Sequence, residues 1–105
     1  MHLISLKAIL DAAIQFPQHK DELLLLGRVI EKANCPTPAA LKKLYPSLDN
    51  FKYLDKHYVL DIANNHLRIV ALIFFESQKF YVRHVFTHKE YDRFTDKHRT
   101  KRKKT

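Results

Sequence analysis

The segment Thr87-His88-Lys89-Glu90-Tyr91 sets an imidazole and a phenol three residues apart, behind a Thr that has a Glu three residues on. Thr-x-x-Glu is a capping box: the Thr hydroxyl takes one free N–H of a starting helix, and the Glu reaches back for another. The spacing predicts a helix that opens at His88 and runs through about Phe94, with His88 and Tyr91 on one face. A neutral imidazole at that position can accept a proton, as a general base must. Arg68 and Arg83 stand in the apolar runs just upstream. If Phe75 faces Phe80 across a hairpin, Leu72 faces Arg83 and Arg68 faces Thr87. Both arginines then share a sheet face, with Arg68 beside the helix start. A one-residue slip would break this arrangement. An Arg in an otherwise apolar strand is costly unless it is paired or serves an anion.

Arg, His and Tyr in one place suit phosphate chemistry. A guanidinium can hold two phosphate oxygens at once, and its charge meets the extra negative charge of a pentavalent phosphorane. The His can move a proton, and the Tyr can donate a hydrogen bond to the phosphate or stack on a base. No carboxylate cluster stands out to hold a metal. The expected reaction is therefore metal-independent, with the 2′-hydroxyl of RNA as internal nucleophile; DNA would be spared. A plainer reading uses the same residues. Arg68 could pair with Asp61 on the neighbouring strand, His88 could be an exposed helix-start residue, and Tyr91 a core anchor with a wet hydroxyl.

These residues need a scaffold. Ser5 could cap a helix whose apolar stripe is Leu6, Ile9, Leu10, Ala13 and Ile14, ended by Pro17. A second helix starts near Gln18 and His19, with Asp21 and Glu22 in its first turn, where the dipole favours acids. Leu23, Leu26, Ile30 and Ala33 give its inner face. Thr37 caps a short helix with Pro38 at its first position and Leu41, Leu44 and Tyr45 inward. Residues 46–50 read as a loop. Beyond it the period changes, to strands over 58–62, 66–75 and 80–86 with a turn at Asn64-Asn65. The strand over 66–75 is apolar at almost every position, so it should be central and buried on both faces. The expected fold is α+β: N-terminal helices packed on a small twisted antiparallel sheet, then a short C-terminal helix.

The chain has 105 residues, enough for one domain with a modest core. Residues 1–96 read as that domain, and 97–105 as a basic, flexible tail. A single Gly rules out Gly-rich dinucleotide or phosphate loops, and a single Cys excludes a disulfide framework and a multi-cysteine zinc site. No residue pattern asks for a cofactor. With no signal-like N-terminus, the expected location is the cytoplasm. The longest apolar run, Ile69 to Phe75, is too short to span a bilayer, so no membrane partner is expected. The net charge of +8 favours an acidic partner such as nucleic acid, although most of it lies in the tail. An enzyme, a non-catalytic RNA- or ribosome-binding module, and a protein neutralised by an acidic partner all remain open on these grounds.

Four blocks carry a resemblance: Pro46-Ser47-Leu48-Asp49-Asn50-Phe51-Lys52-Tyr53, Asn65-His66-Leu67-Arg68, Phe74-Phe75-Glu76-Ser77-Gln78-Lys79 and Thr87-His88-Lys89-Glu90-Tyr91-Asp92. Together they resemble the HigB family of toxins, within the RelE-like ribonuclease superfamily, over nearly the whole chain and with closest likeness to its enterobacterial group. The resemblance implies a ribosome-dependent endoribonuclease that cuts translated mRNA and arrests growth. It implies a HigA-like antitoxin, through which operator DNA is bound only indirectly. By position, Arg68 matches the family's phosphate-binding Arg, His88 falls where relatives place a catalytic Arg or His, and Tyr91 matches an aromatic near that site. Lys52, Lys56, Arg83 and Lys89 are the implied RNA contacts, with His57 at the border. Many relatives carry Arg where His88 stands, which leaves the assignment of acid and base open.

Overall fold

The structure, a computed structural model, describes the backbone of residues 1–103 and the side chains of residues 1–99. In chain order the elements are β1 (His2–Leu3), α1 (Leu6–Gln15), a 3₁₀ turn at Pro17–His19, α2 (Lys20–Lys32), α3 (Pro38–Leu44), β2 (Asp49–Asn50), β3 (His57–Ile62), β4 (Leu67–Phe74), β5 (Lys79–Thr87) and α4 (His88–Lys103). The α+β architecture is as expected. The strands form one sheet in the order β1-β5-β4-β3-β2. The apolar strand β4 is central, as its composition requires.

One face of the sheet carries the main core. Leu67, Ile69, Ala71 and Ile73 of β4 join Phe80 and Val82 of β5 and Leu60 and Ile62 of β3 against the inner faces of α1 and α2. Leu23, Leu26 and Ile30 of α2 are fully buried there, at the expected spacing. Thr37 caps α3 as predicted: its Oγ1 accepts from the Ala40 N–H at 3.2 Å. Leu41 is buried but Leu44 is exposed.

Several expectations need correction. β1 pairs with β5 in parallel, so the sheet is mixed rather than wholly antiparallel. Asp49 and Asn50, read as loop, add a short edge strand to β3. Ser5 makes no side-chain cap on α1. That helix turns Ile9, Ala12 and Ala13 inward, leaving Leu6, Leu10 and Ile14 at 52, 46 and 79% exposure. Both faces of α1 have helical apolar spacing, and the one with small alanines packs closer to the sheet. The C-terminal helix does not stop near Phe94. It continues through Lys97 to Lys103, while residues 104 and 105 lie outside the described residues. Among the described residues no helix is long and apolar enough to cross a membrane.

The hairpin register also differs. At the tip Phe74 pairs with Lys79, so Leu72 faces Tyr81 rather than Arg83. The register then shifts by one between Val70 and Ala71, so Arg68 faces Phe86 rather than Thr87. Arg83 is the extra residue of this bulge and is exposed. The predicted face shared by Arg68 and Arg83 through regular pairing is therefore not formed.

Candidate functional site

The second face of the sheet is built by alternation. Arg68 lies between Asp61 on β3 and Phe86 on β5, and Val70 between Val59 and His84. The capping box at the end of β5 is formed in both directions. Thr87 N–H donates to Glu90 Oε1 at 2.9 Å, and Glu90 N–H donates to Thr87 Oγ1 at 3.3 Å. This fixes the exit angle of α4 and lays it across that face. Tyr91, Phe94 and His98, one helical stripe, come down on the sheet.

Phe51 is the hub of this second cluster, with 2% exposure. Tyr53 and Tyr91 each stand edge-on to it, with ring centroids at 5.6 and 6.1 Å, and Phe94 and His98 pack at 5.4 and 5.9 Å. His84 stacks on Phe86 at 4.9 Å and meets Phe94 at the same distance. Burial lowers the His84 pKa, and the charges of Arg83, His98 and His57 lower it further. His84 is consequently neutral at pH 7.

Arg68 is held from two sides. Its Nε lies 2.9 Å from Asp61 Oδ1, and its guanidinium carbon sits 4.7 Å from the centre of the Tyr91 ring. The Nε–H is not directed squarely at the carboxylate, so the contact with Asp61 is coulombic more than a well-formed hydrogen bond. No protein group among the described residues takes the two terminal Nη groups, and 29% of the side chain is open to solvent. The fork that binds anions bidentately is free, with the Tyr91 ring beside it.

His88 is placed differently. Its Nε2 donates to the backbone carbonyl of Asn65, in the turn between β3 and β4. A carbonyl only accepts, so Nε2 carries the hydrogen and the lone pair of a neutral ring is on Nδ1. The contacts of Tyr91 run to Arg68 and Phe51. Arg68 and Tyr91 are thus brought together, with His88 anchored at the adjacent turn. Lys52 lies over the Tyr53 ring and Lys56 over the Phe74 ring, each at 5.3 Å. His57 Nδ1 is bound to the Asp55 carbonyl at 2.7 Å, and its charge is felt at His84. Lys89 and Arg83 are exposed.

Sequence reasoning missed Asp49, Phe51, His84, Phe94, Thr95 and His98 as members of this face. The α4 residues carry a legible signal, since Tyr91, Phe94, Thr95 and His98 follow helical spacing once the helix is extended. His84 carries none without the bulge.

The residues 19–94 match the model of the HigB toxin family, described as the RelE-like toxic component of a toxin-antitoxin system. The chain is 62% identical over 104 residues to the mRNA interferase toxin HigB of Escherichia coli K12, covering 99% of this chain and all of that protein. It has the same identity and coverage to the mRNA interferase HigB of Shigella flexneri. A more distant mRNA interferase HigB, from Escherichia coli O6:H1 strain CFT073, is 41% identical over 95 residues, 90% of this chain and 92% of that one.

Proposed function

Since this chain belongs to the HigB toxin family, the RelE-like toxic components of toxin-antitoxin systems, we propose that it is an endoribonuclease that cuts messenger RNA on the translating ribosome and is restrained by a cognate antitoxin. The observation that carries the reading is Arg68. Its charge is pinned by Asp61 and Tyr91, while its Nη fork stays free and open to solvent. A hydrated fork can exchange its water for two oxygens of an anion without breaking any contact of the fold.

In the proposed reaction Arg68 grips two non-bridging oxygens of the scissile phosphate. His88 Nδ1 takes the proton of the adjacent 2′-hydroxyl. O2′ attacks phosphorus, and the guanidinium meets the charge that grows on the phosphorane oxygens. The bond to O5′ breaks, and the leaving oxygen takes a proton from water. The ends are a 2′,3′-cyclic phosphate and a 5′-hydroxyl. Tyr91 holds the guanidinium plane and donates a hydrogen bond to the phosphate. Lys52, Lys56, Arg83 and Lys89 hold neighbouring phosphates without reading sequence, with His57 at the border.

The test is 5′-end mapping of cellular mRNAs after a brief pulse of the protein, beside Arg68→Ala. New ends inside coding regions, in phase with codons and absent with Arg68→Ala, are the expected result. Growth arrest with no new ends would refute the nuclease reading.

A further inference from the structure

We infer that His19, at the corner between α1 and α2, is a positioning residue for the cleavage: by stacking on His66 it steadies the turn whose carbonyl holds His88. This inference deepens the endoribonuclease reading and rests on its use of His88 as the base. The turn joins β3 to β4 over residues 63–66, just outside the last ladder pair, Ile62 with Leu67. The His66 N–H donates to the Ala63 carbonyl at 3.1 Å and closes it. Ala63, Asn64 and Asn65 in succession have φ of 55, 54 and 68°. Asn visits this left-handed region readily; Ala does so at a steric cost. Such a backbone persists only where its surroundings hold it, and it gathers at sites where geometry matters.

Ala63 leans on the main core, and two side-chain contacts hold the rest of the turn from opposite faces of the sheet. From α4, the His88 Nε2–H donates to the Asn65 carbonyl. From the helical layer, the His19 ring stacks on the His66 ring, with centroids 5.4 Å apart and planes within 17°. The His19 backbone is itself fixed. It ends the 3₁₀ turn that Pro17 opens, and its N–H donates to the carbonyl of buried Phe16 at 2.9 Å. Among the described residues neither His19 nor His66 makes a side-chain hydrogen bond or an ion pair. The stack is therefore a tie between the helices and the turn, not a branch of another network. What it secures is chemical. By accepting from Nε2, the Asn65 carbonyl keeps the lone pair of neutral His88 on Nδ1, the atom that takes the 2′-hydroxyl proton. A loosened turn lets that carbonyl move and the imidazole rotate, and a base works only within hydrogen-bond reach of its proton. The phosphate grip at Arg68 is built from Asp61 and Tyr91 and does not pass through the turn.

The test has two readouts: the rate of mRNA cutting on purified, mRNA-programmed ribosomes, and the NMR signal of the His88 ring N–H in the protein alone, assigned by its loss in His88→Asn. His19→Ala should lower the saturated rate about tenfold and leave the half-saturating ribosome concentration within about twofold. Its ring N–H should exchange with water and vanish from the spectrum. His66→Ala should do the same, and the double variant should fall no further than either alone, as partners in one contact do. His19→Phe keeps a flat ring for the stack, and should cut within about threefold of the wild type with the N–H signal retained. A folded His19→Ala that cuts within about twofold of the wild type overturns the inference, as do additive losses in the double variant. So does His19→Phe as slow as His19→Ala, since His19 would then act through its ring nitrogens. An N–H signal absent from the wild type, or unchanged in folded His19→Ala and His66→Ala, overturns it as well. Thermal melts establish which variants fold; if His19→Ala does not, His66→Ala and His19→Phe decide by the same criteria. A wild type that cuts nothing refutes the nuclease reading, and the N–H signal then decides alone whether the stack holds His88.

Discussion

Replacing Arg68 separates an arginine that serves an anion from one that only serves the fold. At 2.9 Å from Asp61 the gross attraction is about 6 kcal/mol with an effective dielectric near 20. Both side chains keep solvent contact, 29 and 20%, and the Nε–H is not aimed at the oxygen. Desolvation and lost rotamer freedom then cancel most of that attraction, and about 1 kcal/mol remains, as in partly exposed pairs. The stacking of the guanidinium on Tyr91 adds about 1 kcal/mol. Arg68→Ala should therefore cost about 2 kcal/mol, roughly 8–16 °C in Tm for a domain of this size. Arg68→Lys keeps the charge near Asp61 and should cost about 1 kcal/mol or less. It loses the bidentate fork, and its cleavage should fall by about 10²–10³-fold, the usual loss when one preorganised charge-stabilising donor is removed. Urea unfolding gives the first quantity, and counting mapped mRNA ends at matched protein levels gives the second. If Arg68→Lys cuts within about threefold of the wild type, the phosphate grip is wrong. If instead it costs more than about 3 kcal/mol, the packing of the guanidinium against Tyr91, which a lysine cannot reproduce, is the reason the arginine is there.

Phe51→Ala should cost about 3–5 kcal/mol in chemical unfolding, because Phe51 is buried beneath Tyr53, Tyr91 and Phe94; a loss under about 1 kcal/mol would mean that α4 does not need this hub. Ile9→Ala should cost about 2–4 kcal/mol and Ile14→Lys less than about 0.5, a contrast that unfolding midpoints read directly; a loss above about 2 kcal/mol with Ile14→Lys would mean that the stripe through Leu10 and Ile14 faces the core. The lowered His84 pKa means that the unfolded chain binds this proton more tightly than the folded one. Stability from this group is complete above the unfolded value near 6.5 and falls as pH drops below it towards the folded value. Thermal melts across that window should show the slope, and His84→Gln should flatten it. Thr87→Ala should cost about 1 kcal/mol through the lost cap, visible as a lower unfolding midpoint, whereas no change would mean that packing alone fixes the start of α4.

The elements legible in the sequence are those whose signal is local. The capping box at Thr87 and Glu90, the Thr37 cap before Pro38, the inner stripe of α2 and the doubly buried β4 each depend on neighbours within a few residues. β1 and β2 are two residues long and have no period to read; each exists because the neighbouring strand offers an edge. α1 presents two apolar stripes, and only the sheet beneath it chooses between them. The hairpin tip is set by a contact distant in sequence. Gln78, with φ at 56°, donates its amide to the carbonyls of Cys35 and Phe75 at 2.7 and 2.8 Å and accepts from the Cys35 N–H. This draws Lys79 into the strand and moves the pairings between the tip and the bulge by two residues from the Phe75–Phe80 match.

A shift of two preserves which side chains share a face; the bulge at Arg83 does not. Without it, the tip register would set His84 opposite Ile69 in the main core and Val85 opposite Arg68. One inserted residue reverses both. Val85 joins Ile69 at the core, and His84 and Phe86 turn to the face of Arg68, where Phe94 covers them. Burying an imidazole in the main core would carry a desolvation cost with no partner to offset it, so the bulge is the arrangement that lets Phe80, Val82 and Val85 all point inward. It also explains how Arg68 and Tyr91 come together although the register expected to bring Arg83 beside them is not formed. Arg68 is positioned by its own strand, by Asp61 across β3 and by a helix whose start is encoded locally, and none of these depends on the parity of β5 beyond the bulge.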